Sequence, residues 1–359
     1  MAEPLKAEAR LPLSNPAETI AALRTRFTDY AEVTVQAEDV QFAHARFGII
    51  SLSPSADGLV MTCTAPTSTA LSLGKMTLAE ALAGMGEDAS TGLVWNGDDA
   101  GARALPFFRE MQVVRAWNVT PLMRRVVLKG DAAHFGGPGL HVRVLIPPHG
   151  RTPVWPHADE SGRMVMPKGE DALIARVYTV RTLDLARGEV GIDVALHEGA
   201  STPGATWARN AQAGDIVGLL GPGGGAPAPA PWQLYMGDET ALPVIARLLE
   251  ILPEGAHAVV RIEVANPVEE QHLPSAATLD LRWLHRGETP AGLSPMLEEA
   301  LRQVTFPDDM AHARIFAGCE QATARRLRQH ATKTLGMDKK NTSIAAYWRL
   351  GHEGVDVGD

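Results

Sequence analysis

With 359 residues the chain exceeds one average domain, and 45% hydrophobic with 21% charged residues marks a globular protein rather than a disordered or fibrous one. The net charge of −9, from 33 basic against 42 acidic residues, argues against a nucleic-acid partner, which would require a basic face to neutralise phosphates. Two cysteines, Cys63 and Cys319, are too few for a disulfide framework or a four-thiolate iron–sulfur cluster, and no apolar run approaches the ~20 residues that span a bilayer.

The N-terminal stretch MAEPLKAEARLPLSNPAETI has no continuous apolar core, so no secretory leader, no membrane insertion and a cytoplasmic location are expected. Residues 1–105 read as a small α+β domain. Asn15 caps a helix that has Pro16 at its first position. Alternating stretches at 31–36, 47–52 and 58–64 suggest a sheet, a helix covers 73–85, and the glycine- and acid-rich residues 84–101 form a linker.

From residue 106 to 228 the texture changes to six short strands, at 112–117, 123–128, 141–146, 175–181, 189–196 and 215–220. Turn signals between them predict an antiparallel β-barrel. The gap 147–174, holding His149, Trp155 and His157, is too long for a hairpin and has the length of a functional loop. GPGGGAPAPAPW, residues 221–232, reads as a Pro/Gly hinge. Beyond it, residues 229–359 alternate strand and helix, which predicts a doubly wound α/β domain with a parallel sheet.

Four segments have ligand-binding chemistry. Gly221 to Ala226 matches GxGxxA, but Pro227, Pro229 and Pro231 forbid the helix that must follow a dinucleotide fingerprint. GDETALP, starting at Gly237, follows an apolar strand and opens a helix. It is either a well-capped helix start or an anion site at the carboxyl end of a strand. In ARVYTVR, starting at Ala175, period-2 alternation places Arg176 and Tyr178 on one face and Val177 and Thr179 on the other. That face either meets water or binds a pyrophosphate through the guanidinium and a flat ring through the tyrosine. The run from His197 through Thr202, Gly204 and Ala205 to Trp207 leaves a strand and enters a helix. Such a turn exposes N–H groups to a phosphate, or is a tight turn ending in a core tryptophan. No catalytic acid–base, nucleophile or metal-ligand motif is present in the sequence.

The order of these features resembles the siderophore-interacting protein family, the flavin-dependent ferric-siderophore reductases within the ferredoxin-reductase-like superfamily. The resemblance runs over about 109–354 and includes HVRVLIP from His141, Gly214-Asp215 with Gly221-Pro222, WLHR from Trp283 and AYWR from Ala346. It implies FAD as cofactor, NADH or NADPH as electron donor and a ferric siderophore or ferric chelate as substrate. Arg176 would hold the pyrophosphate, Tyr178 pack on the isoalloxazine, and Thr179 hydrogen-bond near its N5 edge, with Arg181 adding charge. His197, Thr202, Gly204, Ala205 and Trp207 would complete the phosphate side. Gly237, Asp238, Glu239 and Thr240 would lie beside flavin and nicotinamide, and Cys319 is either near the cofactor or a buried inert thiol.

An anionic ferric chelate calls for a local basic pocket, for which Arg151, Lys168, Arg181 and Arg286 are candidates, with Trp348 a further substrate contact. Arg325 or Arg326 would serve a 2′-phosphate. Reduction releases iron because iron(III) binds hard oxygen donors far more tightly than iron(II), and a flavin converts hydride into single electrons without a protein acid–base pair. A general flavin or ferredoxin-type reductase and a non-catalytic siderophore-binding protein are the alternative readings. Residues 1–105 resemble a small uncharacterised domain fused to some family members.

Overall fold

The computed structural model describes residues 3–86, 92–196, 202–228 and 230–352. The chain forms two compact units, Met1–Phe108 with Pro148–Leu173, and Arg109–Pro147 with Ile174–Asp359.

The first unit is built on a six-stranded antiparallel sheet in the order β2-β3-β4-β5-β1-β6. Its strands are β1 (Leu5–Pro12), β2 (Glu32–Gln36), β3 (Asp39–His44), β4 (Gly48–Ser55), β5 (Gly58–Ala65) and β6 (Trp95–Gly97). Alternate residues bury one face: Ala7, Ala9 and Leu11 on β1, Ile50 and Leu52 on β4, Leu59, Met61 and Cys63 on β5. They form one core with Ile20, Leu23 and Phe27 of α1 (Pro16–Phe27) and Leu71, Leu78 and Leu82 of α2 (Ser68–Ala83). Asn15 does cap α1, its Oδ1 accepting from the Glu18 amide. The expected linker at 84–101 is interrupted by β6, because Leu93 and Trp95 are buried in this core.

In the second unit all six expected strands appear and close a barrel in the order β12-β13-β8-β7-β14-β9. They are β7 (Phe108–Thr120), β8 (Met123–Lys129), β9 (Gly139–Ile146), β12 (Ile174–Asp184), β13 (Glu189–Ala195) and β14 (Ile216–Gly225), with α3 (Pro203–Asn210) between β13 and β14. The short strands β10 (His157–Ala158) and β11 (Met164–Val165) pair with each other inside the long connection and belong to the first unit.

The expected hinge is displaced. β14 continues through Gly221–Gly225, with Gly223 opposite His141 and Gly225 opposite Gly139 after a bulge. A side chain on Gly139 would put its Cβ 2.5 Å from Pro222 Cβ, so this pairing needs glycine there.

The rest of the unit is a five-stranded, all-parallel sheet, β17-β16-β15-β18-β19. Its elements are β15 (Trp232–Gly237), α4 (Leu242–Glu250), β16 (His257–Val264), β17 (Thr278–His285), α5 (Met296–Gln303), β18 (Ala313–Glu320), α6 (Gln321–Gln329) and β19 (Thr342–Trp348). Tyr235 and Val260 pack with α4 on one face, while Leu234, Met236 and Ile315 pack with α5 and α6 on the other. The chain starts in the middle at β15, moves one way to β16 and β17, then crosses to β18 and β19. The strand order therefore reverses between β15 and β18, which is where doubly wound sheets bind ligands.

Candidate functional site

Arg176 and Tyr178 lie on β12, opposite Val144 and Val142 of β9. Their face turns toward the first turn of α3. Thr202 caps that helix, its Oγ1 accepting from the Ala205 amide and its carbonyl from the Thr206 amide. Gly204 brings the helix against the strand: a Cβ there would sit 2.0 Å from Tyr178 Oη and 3.6 Å from Arg176 Cγ. The Arg176 side-chain stem, the phenol and the helix N-terminus are thus gathered in one place, with Arg176 Nη1 donating to the Ala175 carbonyl. Burial pushes the Tyr178 phenol up to about 12, with the Arg176 charge opposing it, so the ring stays neutral. Trp207 is half-buried 6.5 Å from the Tyr178 ring, and its indole N–H is buried without a partner among the described residues. His197 lies outside the described residues.

Thr179, on the other face, is buried and pairs with His141 of β9, whose Nε2 is 3.2 Å from Tyr347 Oη on β19. Burial, reinforced by the Arg247 charge, lowers the His141 imidazole to about 4. In the sequence His141 stands out only as the first residue of HVRVLIP.

At the reversal point, Gly237 and Gly318 sit side by side in the β15–β18 ladder. A Cβ on Gly237 would be 2.6 Å from Ala241 Cβ, so glycine here admits the start of α4. The turn that follows is held by its own carboxylates. Asp238 Oδ1 accepts from the Thr240 amide (2.9 Å) and hydroxyl (2.5 Å), and Oδ2 accepts from Trp348 Nε1 at 2.7 Å. Neither Asp238 nor Thr240 caps α4 through its side chain; its cap residue is Ala241. Glu239 forms a bidentate, buried ion pair with Arg286, which follows β17.

Two carboxyls here are pushed toward neutrality. Burial, then the neighbouring Glu239 charge, raises Asp238 to about 6. Burial raises Glu263 of β16 to about 7 against its hydrogen bond with Ser294. The sequence signal for Glu263 was a lone carboxylate inside the apolar strand AVVRIEV, a strand type that buries both faces.

The candidate substrate residues separate. Arg286 and Trp348 are spent on Glu239 and Asp238. Arg151 and Lys168 belong to the first unit, where Arg151 pairs with Glu170 and Asp171. Arg181 pairs with Glu250 of α4 at 2.8 Å rather than joining the Arg176 face. Arg326 binds Glu298 of α5. Cys319 is buried on β18, and burial raises its thiol pKa, so it is an inert thiol at neutral pH. No helix among the described residues is long and apolar enough to cross a membrane.

The residues on β12 and α3 fit a flavin dinucleotide. An arginine whose stem lies beside a helix N-terminus suits a pyrophosphate, and Gly204 keeps the approach to Tyr178 clear of a side chain. The Trp207 N–H, without a partner among the described residues, is a donor to spare.

Residues 112–226 match the siderophore-interacting FAD-binding domain, residues 230–351 the siderophore-interacting protein domain, and residues 8–96 an uncharacterised protein family conserved in bacteria. The ferric vibriobactin reductase of Vibrio cholerae is 29% identical over 249 residues, 68% of this chain and 90% of that protein. The NADPH-dependent ferric-chelate reductase of Escherichia coli is 30% identical over 210 residues, 56% of this chain and 78% of that protein. A siderophore utilization protein from T. fusca, of known crystal structure, superposes with a TM-score of 0.57 at 32% identity, over 69% of this chain and 95% of that one. Against uncharacterised mycobacterial relatives, 38% identical, the match spans 65% of their length. With a barrel and parallel-sheet domain that both match, the chain belongs to the siderophore-interacting protein family, with its FAD-binding domain, and carries an uncharacterised bacterial domain at its N-terminal end.

Proposed function

We propose that this chain is an FAD-dependent oxidoreductase that passes electrons from NADH or NADPH to a ferric siderophore or ferric chelate and releases the iron as Fe(II). The cytoplasm, where reduced pyridine nucleotides are available, is the compartment that suits this chemistry. One observation carries the reading: Arg176 and Tyr178 of β12 meet the N-terminus of α3 across Gly204. The unit that contains them also holds a carboxylate turn at the reversal point of a parallel sheet.

FAD, when bound, supplies what the side chains lack, accepting two electrons as hydride and yielding them singly. The protein's part is to bind, orient and control charge. Arg176 and the Gly204 amide would hold the pyrophosphate, with Thr202 fixing the first turn of α3 through the Ala205 amide. Tyr178 offers an uncharged ring, since burial keeps it protonated. Thr179 offers a hydroxyl on the opposite face of the strand, the face it shares with His141. Gly237, Asp238, Glu239 and Thr240 form the wall against which a nicotinamide is placed. Arg286 neutralises Glu239, and Glu263, at about 7, is about half protonated at neutral pH, while Asp238, at about 6, is mostly ionised there and held by the Thr240 and Trp348 donors; the wall therefore carries less negative charge than its three carboxyls suggest.

The test is anaerobic spectroscopy on the full chain. The purified or FAD-reconstituted protein is expected to be yellow, to bleach on addition of NADH or NADPH, and to recover its colour when a ferric siderophore is added, with a ferrous chelator trapping the iron. A colourless chain that FAD cannot reconstitute would sink the proposal. Reoxidation by free flavin or quinones but not by ferric chelates would replace it with a general reductase, and ferric-complex binding without bleaching with a binding protein.

A further inference from the structure

β12 does not run regularly along its length. Its pairing with β13 shifts between Val180 and Thr182, where Val180 opposes Ile192 and Thr182 opposes Gly191, leaving Arg181 at the irregularity. Such bulges unpair a residue locally and redirect its side chain. Here helix α4 supplies the partners. Arg247 Nη1 donates to the Val180 carbonyl at 2.9 Å, and Arg181 Nη2 lies 2.8 Å from Glu250 Oε1. The Arg181 side chain is only 10% exposed and Glu250 36%, so the pair has a sheltered arginine and a carboxylate at the surface.

The same helix has a second connection. It begins directly after the Gly237–Thr240 turn, and Ile245 N, one turn in, donates to the Ala241 carbonyl. Arg247 and Glu250, the clamp residues of α4, lie seven and ten residues beyond Thr240, about 10 and 15 Å of helix axis at 1.5 Å each. Arg176 and Tyr178 stand on β12 just before the clamp. α4 is therefore a short strut with one end at each half of the site.

We propose that Arg181, Arg247 and Glu250 are positioning residues, which lock β12 to α4 and so set the spacing between the Arg176–Tyr178 face and the Asp238–Glu239 turn. They touch neither cofactor nor substrate. This rests on the reading of those two places as flavin and nicotinamide sites. Because hydride transfer needs reacting atoms within about 3–3.5 Å, a shift of 1 Å lowers the rate by as much as about 100-fold without changing what is bound.

The experiment uses the full chain with Arg181→Met, Glu250→Gln and the double variant. Three measurements are made: FAD affinity, the rate of flavin bleaching by saturating NAD(P)H, and hydrogen exchange of the 237–242 amides. The expected result is FAD affinity within about twofold of the parent, bleaching slowed roughly tenfold or more at saturating donor, and faster exchange at 237–242. The double variant should be no worse than either single one, because both remove the same contact.

If Arg181→Met weakens FAD binding tenfold while Glu250→Gln does not, Arg181 is a cofactor contact and the strut is wrong. Unchanged bleaching and exchange in both single variants would also overturn it. Should the parent fail to bind FAD, the flavin reading falls, and exchange at 237–242 still decides whether the clamp orders the turn.

Discussion

Gly204 illustrates how much rests on a single hydrogen atom. In place of its Cα hydrogen, a methyl group would come within 2.0 Å of Tyr178 Oη, so the tyrosine or the first turn of α3 must move. Overpacking of this kind costs about 1–3 kcal/mol. It falls on the strand and helix that converge on the proposed pyrophosphate, so Gly204→Ala should weaken FAD binding about tenfold or more while the barrel stays folded. FAD titration of the apo-protein, with circular dichroism as control, checks this; unchanged affinity would remove Gly204 and Tyr178 from the site. At this scale the sequence was partly legible. Arg-x-Tyr spacing on a strand and Thr-Pro-Gly at a helix start could both be read locally. That Arg181 points to Glu250, and that Arg286 and Trp348 serve Glu239 and Asp238, could not, since each partner is more than 40 residues away.

At the scale of elements, β16 and its neighbours carry the strongest electrostatic consequence. A central parallel strand is buried on both faces, so its carboxylate Glu263 is driven toward its neutral form, to about 7 from an ordinary 4.5. The sign follows from proton linkage. With the folded pKa above the unfolded one, the contribution to stability is fully present below pH ~4.5 and is lost as pH rises through about 7, amounting to about 3 kcal/mol. Asp238, raised to about 6, acts in the same direction. Glu263→Gln keeps an acceptor for Ser294 and removes the titration. Relative to the parent, the variant should therefore gain stability between pH 5 and pH 8, by denaturant unfolding at each pH. His141 titrates the other way at low pH, but equally in both proteins. Parallel stability curves for the two proteins would show that Glu263 is not neutralised. The element types themselves were well legible, since six barrel strands and the strand–helix alternation follow from hydrophobic period. The strand through Gly221–Gly225 was not, because glycine and proline signal turns locally. Here they permit a close crossing with Gly139 that only the folded barrel reveals.

At the scale of the molecule, the least legible feature is where residues 148–173 belong. They leave the barrel after β9 and return at β12, yet fold with the N-terminal sheet, because their contacts are made there. Trp95 Nε1 donates to the Ser161 carbonyl at 2.8 Å, and the Ala158 amide donates to the Arg103 carbonyl at 2.8 Å. The hairpin tip is shaped by Asp159, whose Oδ1 accepts from the Ser161 and Arg163 amides, and by Gly162 at φ +87°. A Cβ on Gly162 would lie 3.0 Å from Lys75 Cβ, so the tip lies directly on α2. Lys75, buried, in turn holds the 98–99 turn through two carbonyls. A seat made of backbone carbonyls and one indole N–H across 66 residues leaves no pattern in a single sequence. It does leave a measurable consequence. Trp95→Phe keeps the ring in the core and strips the Ser161 carbonyl of its donor, a loss of about 1 kcal/mol. Local opening of the hairpin should become about fivefold more frequent, seen as faster hydrogen exchange at 157–165 in the full chain. Exchange in the barrel strands β7, β8 and β13 should not change, because the second unit has its own core. Equal exchange at 157–165 in the two proteins would mean that the N-terminal unit does not hold this segment.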